Sequence, residues 1–248
     1  MMSLIEVDFP EIVKKQYFFK LKSYNRIFSS MVILQIVGIL FSLGGTGGGG
    51  GGGNNIEYNV SYYSSITVMS FNFLWAFISA ILLTTKANRF DDFSFVTTRV
   101  CSHLSNFLIL LTASILGGLT FFLSGFLLKI IVYFFVNRQV YTGEGYVPMD
   151  ILIGITSSIL YVLLFCALGY VTGTLVQIHK GFILLLPGLY IGLIIWGDNN
   201  RFVGILKNIM EFFTTEHSIV LFGIKVILTA VMLFAFAIAI SNRLEVRQ

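Results

Sequence analysis

Seven consecutive glycines, Gly47 to Gly53 within "GGTGGGGGGGNN", are the first candidate for chemistry, because a backbone without side chains can bring its N–H groups close to a phosphate. That chemistry needs a Lys-Ser/Thr pair opening a helix directly afterwards, and Asn54, Asn55 and Ile56 follow instead. A P-loop is excluded. Cys101 and Cys166 lack any CxxC or His-rich spacing, so neither a disulfide framework nor a zinc site is indicated. There is no HExxH and no GxSxG, and His103, His179 and His217 all fall at loop edges, where a solvated histidine is expected. Covalent catalysis inside a membrane needs a nucleophile and a base within reach of each other, and the apolar tracts supply only scattered serines and threonines. The chain is therefore expected to have no catalytic site, no metal site and no cofactor of its own.

Two charges inside apolar tracts carry more weight. Lys129 lies near the end of its tract and can extend its ammonium to the headgroups. Lys225 lies seven residues inside the last tract, about 10 Å deep at a rise of about 1.5 Å per residue. A charge at the centre of a bilayer costs on the order of 3 kcal/mol, and such residues face a bundle interior or a wet path. Lys225 is accordingly assigned to a transport path or a subunit contact. A third group lies in "TTKANRFDDFSFVTTRVCSH", where Phe90, Phe93 and Phe95 alternate with Asp91, Asp92 and Arg99. Aromatic anchors ringed by charges suit docking to a protein partner. The competing reading is that these phenylalanines dip into the bilayer surface.

The elements that position these residues follow from composition. Hydrophobic residues make up 56% of the 248 and charged residues 11%, with a mean hydropathy of +0.87, which places the chain outside ordinary soluble domains and inside the membrane class. Spans of about 20 residues are needed to cross a bilayer, and six fit: Ile27–Leu43, Tyr62–Thr84, one within Leu104–Val136, Met149–Val176, Phe182–Trp196 and Ser218–Ile240. The third tract is too long for one perpendicular crossing and must tilt, project, or break near Gly117 and Gly118. Pro187 predicts a kink in the fifth. Met1 to Arg26 is too long for the charged region of a cleavable signal, so the first span is read as an uncleaved helix. Small residues four apart, Gly169 with Gly173, Gly188 with Gly192 and Ser114 with Gly118, predict close helix packing.

Eleven of the sixteen basic residues fall in the N-terminal segment, the second and fourth connections and the C-terminal tail, against Arg138, Arg201 and Lys207 in the alternate connections. The positive-inside rule then puts both termini in the cytoplasm and the glycine run outside, as a flexible tether. Ahead of the first span, Asp8, Pro10 and Glu11 read as a helix start. Phe9, Val13, Tyr17 and Leu21, joined by Ile12 and Tyr24, form a stripe with Lys14, Lys15 and Lys22 off it, which predicts either an amphipathic helix in the inner headgroup region or a basic anchor that sets topology. Between Asn200 and His217, Phe202, Ile205, Leu206, Ile209, Met210 and Phe213 form another apolar face, predicting an outer amphipathic helix. The expected fold is thus an all-α membrane protein, a single transmembrane domain over residues 1–248, with helix 1–25, six spans over 27–240 and tail 241–248.

This layout resembles the permease subunit of type 2 ABC exporters: an amphipathic N-terminal helix, six spans, a charged and aromatic loop after the second span, and an outer helix before the sixth. Asp91, Asp92 and Arg99 stand where that family commonly carries an acidic and then a basic residue, and Thr97 and Thr98 stand where it often has a proline. The resemblance implies that ATP is bound and hydrolysed by a separate cytoplasmic ATPase docked on Phe90, Asp91, Asp92, Phe93, Phe95 and Arg99. It also implies a second permease subunit, identical or similar, and residence in a bacterial plasma membrane. The spans are poor in charge, which suits an amphiphilic substrate such as a hydrophobic peptide, an antimicrobial or a lipid. No nucleic-acid partner is expected. A secondary transporter or channel working without ATP, and a non-transporting scaffold, remain the alternatives.

Overall fold

The computed structural model describes residues 9–53, 56–85, 88, 99–135, 147–178, 181–182, 208, 211–213, 215–216 and 218–243. In chain order these form helices α1 (Phe9–Ser23) and α2 (Asn25–Ser42), strands β1 (Gly47–Gly53) and β2 (Ile56–Tyr62), and helices α3 (Ile66–Leu83), α4 (Arg99–Phe135), α5 (Pro148–Ile178) and α6 (Ile219–Arg243). Helices α2 to α6 are each long and apolar enough to cross a membrane. They coincide with the first, second, third, fourth and sixth predicted spans; the fifth, Phe182–Trp196, lies outside the described residues apart from Phe182. The chain is therefore a mostly helical, multi-pass membrane protein. Its serine and threonine hydroxyls bond back to carbonyls three or four residues earlier, as Thr112 to Ile109, Ser124 to Phe121 and Thr156 to Leu152 do, which satisfies them without water.

Helix α1 forms where the sequence predicts a helix start, and one side of it packs on the bundle. Pro10 and Glu11 sit in its first turn and Glu11 accepts from Lys15 at 2.8 Å, a bond that holds the Glu11 carboxyl below its ordinary pKa. The helix then packs against α4, with Val13, Gln16 and Lys20 buried and Tyr17 and Tyr24 against the core, whereas Phe9, Phe18 and Phe19 are exposed. Its buried line runs through Val13, Gln16 and Lys20, with half-buried Tyr24 just beyond the helix, rotated from the purely apolar stripe. Polar residues can occupy that line because α4 offers hydrogen-bond partners there.

At the centre, α5 packs on α3, α4 and α6. Helix α4 is continuous through Gly117 and Gly118, so the predicted break is absent; the pair marks helix contacts instead. A Cβ on Gly117 would meet the Trp75 ring at 3.0 Å, and one on Gly118 would meet the Ile159 backbone at 2.6 Å. At about 1.5 Å per residue its 37 residues span about 55 Å, beyond the ~30 Å of a hydrocarbon core, so α4 tilts or projects from it. Gly169 and Gly173 press in the same way on Phe77 and Ile81 of α3 and on Thr84 just after it, and Gly38 on Val68. These close approaches seat a core of Trp75, Leu83, Ile109, Leu110 and Tyr170, with the Phe73 and Phe165 rings stacked at 4.4 Å.

The glycine run is a strand, which corrects the flexible-tether expectation. Gly47 to Gly53 pair antiparallel with Tyr62 to Ile56, and Thr46 extends the ladder by bonding the Tyr62 carbonyl through its N–H (2.8 Å) and hydroxyl (3.0 Å). Glycine loses more entropy than other residues on entering a strand. The gain comes from seven facing pairs closed over a very short connection, between helices that already bring both ends together. Gly45 turns the chain out of α2 at φ +89°, a backbone region that costs other residues strain. Gly49, by contrast, has nothing within 4 Å of where a Cβ would stand. Gly49→Thr should therefore raise amide-exchange protection across residues 47–53, and Gly45→Ala should lower it. An exchange rate in this run that neither substitution alters would restore the tether.

Candidate functional site

The expected docking residues Phe90, Asp91, Asp92, Phe93 and Phe95 lie outside the described residues, and Arg99 is described only as the backbone that opens α4. The ends that carry this segment are well placed, however. Asn88 donates its side-chain amide to the Leu82 carbonyl at 2.6 Å, closing the end of α3, and α4 begins beside α1. Residues 86–98 thus connect two helices at the end of the bundle where α1 packs.

A polar cluster occupies that end. Lys20, 1% exposed, donates from Nζ to Asn106 Oδ1 at 2.6 Å and to Ser105 Oγ at 3.0 Å. Asn106 in turn donates to the Tyr170 hydroxyl at 3.3 Å, and that hydroxyl shares a hydrogen with His103 Nδ1 at 2.6 Å. One network therefore joins α1, α4 and α5. His103, expected at a solvated loop edge, is half-buried in it. Lys20 was grouped with the basic residues ahead of the first span; its position seven residues from Val13 and four before Tyr24, on the buried side of α1, was the available signal. The arrangement fixes α1 to the bundle. Removing Lys20 would leave buried acceptors on Asn106 and Ser105 with one fewer donor, at a cost of about 1–3 kcal/mol. Lys20→Met should speed tryptic cleavage at Lys22 and Arg26 by roughly tenfold, since cleavage there tracks local opening. An unchanged cleavage rate would show that apolar contacts alone hold α1.

A second polar group lies deeper. Gln35 donates to Asn72 Oδ1 at 3.1 Å and to Thr120 Oγ1 at 3.0 Å, and Asn72 donates to the Gly117 carbonyl at 3.2 Å. It links α2, α3 and α4 with every partner inside the bundle. Lys225, the predicted path or contact residue, forms an ion pair with Glu216 and stands 4.0 Å from the centre of the Phe212 ring. Both partners precede α6 in the chain, so the lysine reaches back along its helix toward the segment 200–217. Of that segment residues 208, 211–213, 215 and 216 are described, with 211–213 helical, and Tyr161 of α5 donates to the Phe213 carbonyl at 3.1 Å. This local ion pair explains how the span tolerates a charge.

Cys101 and Cys166 are both buried and reduced. Among the described residues, no three His, Cys, Asp or Glu side chains come together as metal ligands. No protein-family description, no curated protein and no solved structure matches this chain.

Proposed function

We propose that the chain is the membrane subunit of an ATP-driven ABC exporter, moving an amphiphilic substrate outward with the help of a separate cytoplasmic ATPase and a second permease subunit. The observation that carries the reading is the order and direction of the elements. Helix α1 packs beside the start of α4, and the charged and aromatic segment 84–103 joins α3 to α4 at that same end. Helices α5 and α6 run parallel: Tyr161 packs on Phe222 and, further along both, Tyr170 on Phe234. The chain consequently returns once from the α1 end between Ile178 and Ile219, which supports a sixth crossing at Phe182–Trp196.

In this reading Phe90, Asp91, Asp92, Phe93, Phe95 and Arg99 dock on the ATPase, and closure of the ATPase rocks the helices of the bundle. The work passes through rigid elements with two arrangements, and the network on Lys20, Asn106 and Tyr170 makes α1, α4 and α5 such a unit. Lys225, on α6, is the residue assigned to the transport path or to a subunit contact.

Both parts are open to direct test. Cys101 and Cys166 are buried, so an added cysteine can be read over a low background. A cysteine at Gly49 should label from outside intact cells and one at Asn88 should not; the reverse pattern would invert the orientation and remove the docking segment from the cytoplasm. Pulled from native membranes, the chain should bring an ATPase carrying a Walker motif. Transport by the purified chain alone would instead favour the secondary-transporter reading.

A further inference from the structure

Strand β1 has two sides, and β2 occupies one of them. In an antiparallel pair successive residues turn their N–H and C=O alternately toward and away from the partner, so every second glycine of β1 presents both groups on the side away from β2. Among the described residues no strand lies there, since the sheet consists of β1 and β2, and Gly47 to Gly50 are exposed. Edges of this kind are ordinarily blocked by a lysine, a proline or a bulge. The run has none of these, and its register is unbroken from Gly47 opposite Tyr62 to Gly53 opposite Ile56. The edge is also held extended in advance. Thr46 bonds the Tyr62 carbonyl through its N–H and its hydroxyl, and that hydroxyl accepts from the Ser64 N–H at 3.0 Å, which clamps the base of the hairpin.

We infer that this open edge binds an extended peptide with bulky side chains, which adds to the sheet as a third strand. Two properties select that occupant. Only another extended backbone offers donors and acceptors at the spacing of a strand edge. A glycine strand also leaves the space over its faces empty, and glycines in a sheet are stabilised when a large side chain of the neighbouring strand lies over them. Tyr62 does so from the β2 side, its ring 4.0 Å from where a Gly47 Cβ would stand, whereas nothing lies within 4 Å of that position at Gly49. The glycine run of a second copy would form the same hydrogen bonds and leave that space empty. A third strand further takes the sheet past the two-stranded size that is only marginally stable in water. Because β1 has no side chains, the site accepts many sequences. As cargo of the exporter proposed above, such a peptide narrows the amphiphilic substrates to one class; that step rests on the exporter reading, and the binding site does not.

The test is binding of a capped heptapeptide of alternating tyrosine and threonine to the purified full chain in detergent micelles, with amide exchange of Gly47 to Gly53 read by NMR on nitrogen-labelled glycine. In the free chain the glycines bonded to β2 should exchange slowly and those between them rapidly; the peptide should slow the second set. Each backbone hydrogen bond contributes about fivefold to an association, so the fully N-methylated peptide should bind more than about tenfold more weakly. Heptaglycine should also bind more weakly than the tyrosine peptide. Gly48→Pro and Gly49→Pro act on opposite sides of β1: the one on the open side should abolish binding and keep the slow set slow, and the other should break the hairpin. If neither variant folds, the comparison of peptides decides. Equal binding by the N-methylated peptide or by heptaglycine would overturn the inference. So would protection of the open-side amides without peptide that rises with protein concentration, which would assign the edge to a second copy. Recovery of an ATPase without peptide binding would sink this inference alone, and peptide binding with no ATPase recovered would leave it standing.

Discussion

Gly169→Leu should destabilise the bundle by about 3 kcal/mol, the upper end for overpacking a well-filled interior. The reason is what the added atoms would strike. A Cβ at Gly169 would overlap the Phe77 carbonyl oxygen and come 3.0 Å from its carbon, so the obstacle is the backbone of α3 and no rotamer change relieves it. Helices α3 and α5 would have to separate, and the contacts of Trp75, Ala76, Ala80 and Tyr170 around that crossing would loosen with them. Helices in a bilayer gain little from hydrophobic exclusion and depend on close packing, which makes such a separation costly. A change of this size alters the folded-to-unfolded ratio more than a hundredfold. Gly223→Ala is the control: its Cβ would meet Leu160 Cδ1 at 3.7 Å, an ordinary contact, and should change little. The measurement is the unfolding midpoint of each purified variant in increasing SDS, followed by tryptophan fluorescence. Equal midpoints for Gly169→Leu and Gly223→Ala would refute the close α3–α5 approach.

The second large effect concerns the docking segment. If Phe93 and Phe95 fill a pocket on the ATPase, replacing either with alanine removes an anchor worth about 2 kcal/mol or more, a roughly thirtyfold weaker association. Charge reversal at Arg99 should uncouple ATP hydrolysis from transport, provided its partner is acidic and partly desolvated. Phe93 and Phe95 fall between the second and third apolar tracts of the sequence, so insertion and abundance should be unaffected. Recovery of an ATPase with each variant, normalised to the abundance of the chain itself, reads the effect. Full recovery and full ATP-dependent transport in a Phe93, Phe95 and Arg99 triple variant would leave those phenylalanines as bilayer-surface residues.

The two predictions depend on different kinds of information. Helices α2 to α6 were legible within a few residues at most ends, because an apolar tract of sufficient length must satisfy its own backbone in lipid, a condition each segment meets without reference to its neighbours. The four-residue spacing of Gly169 and Gly173 announced close packing for the same local reason. Tertiary structure decided the rest. Which helix those glycines approach, that Gly117 and Gly118 bridge helices without breaking α4, and that Lys225 pairs with Glu216 all depend on which surfaces meet. Lys20 is the clearest case: read alone it is a surface charge in a basic segment, and it is buried only because Ser105 and Asn106, some 85 positions away, supply its acceptors. The glycine strand likewise exists through its partner, since glycine has no preference for extended structure that a sequence could display. Hydropathy and helix length are properties of one segment, whereas the burial of a polar group is a property of a pair, and pairs are formed by the fold.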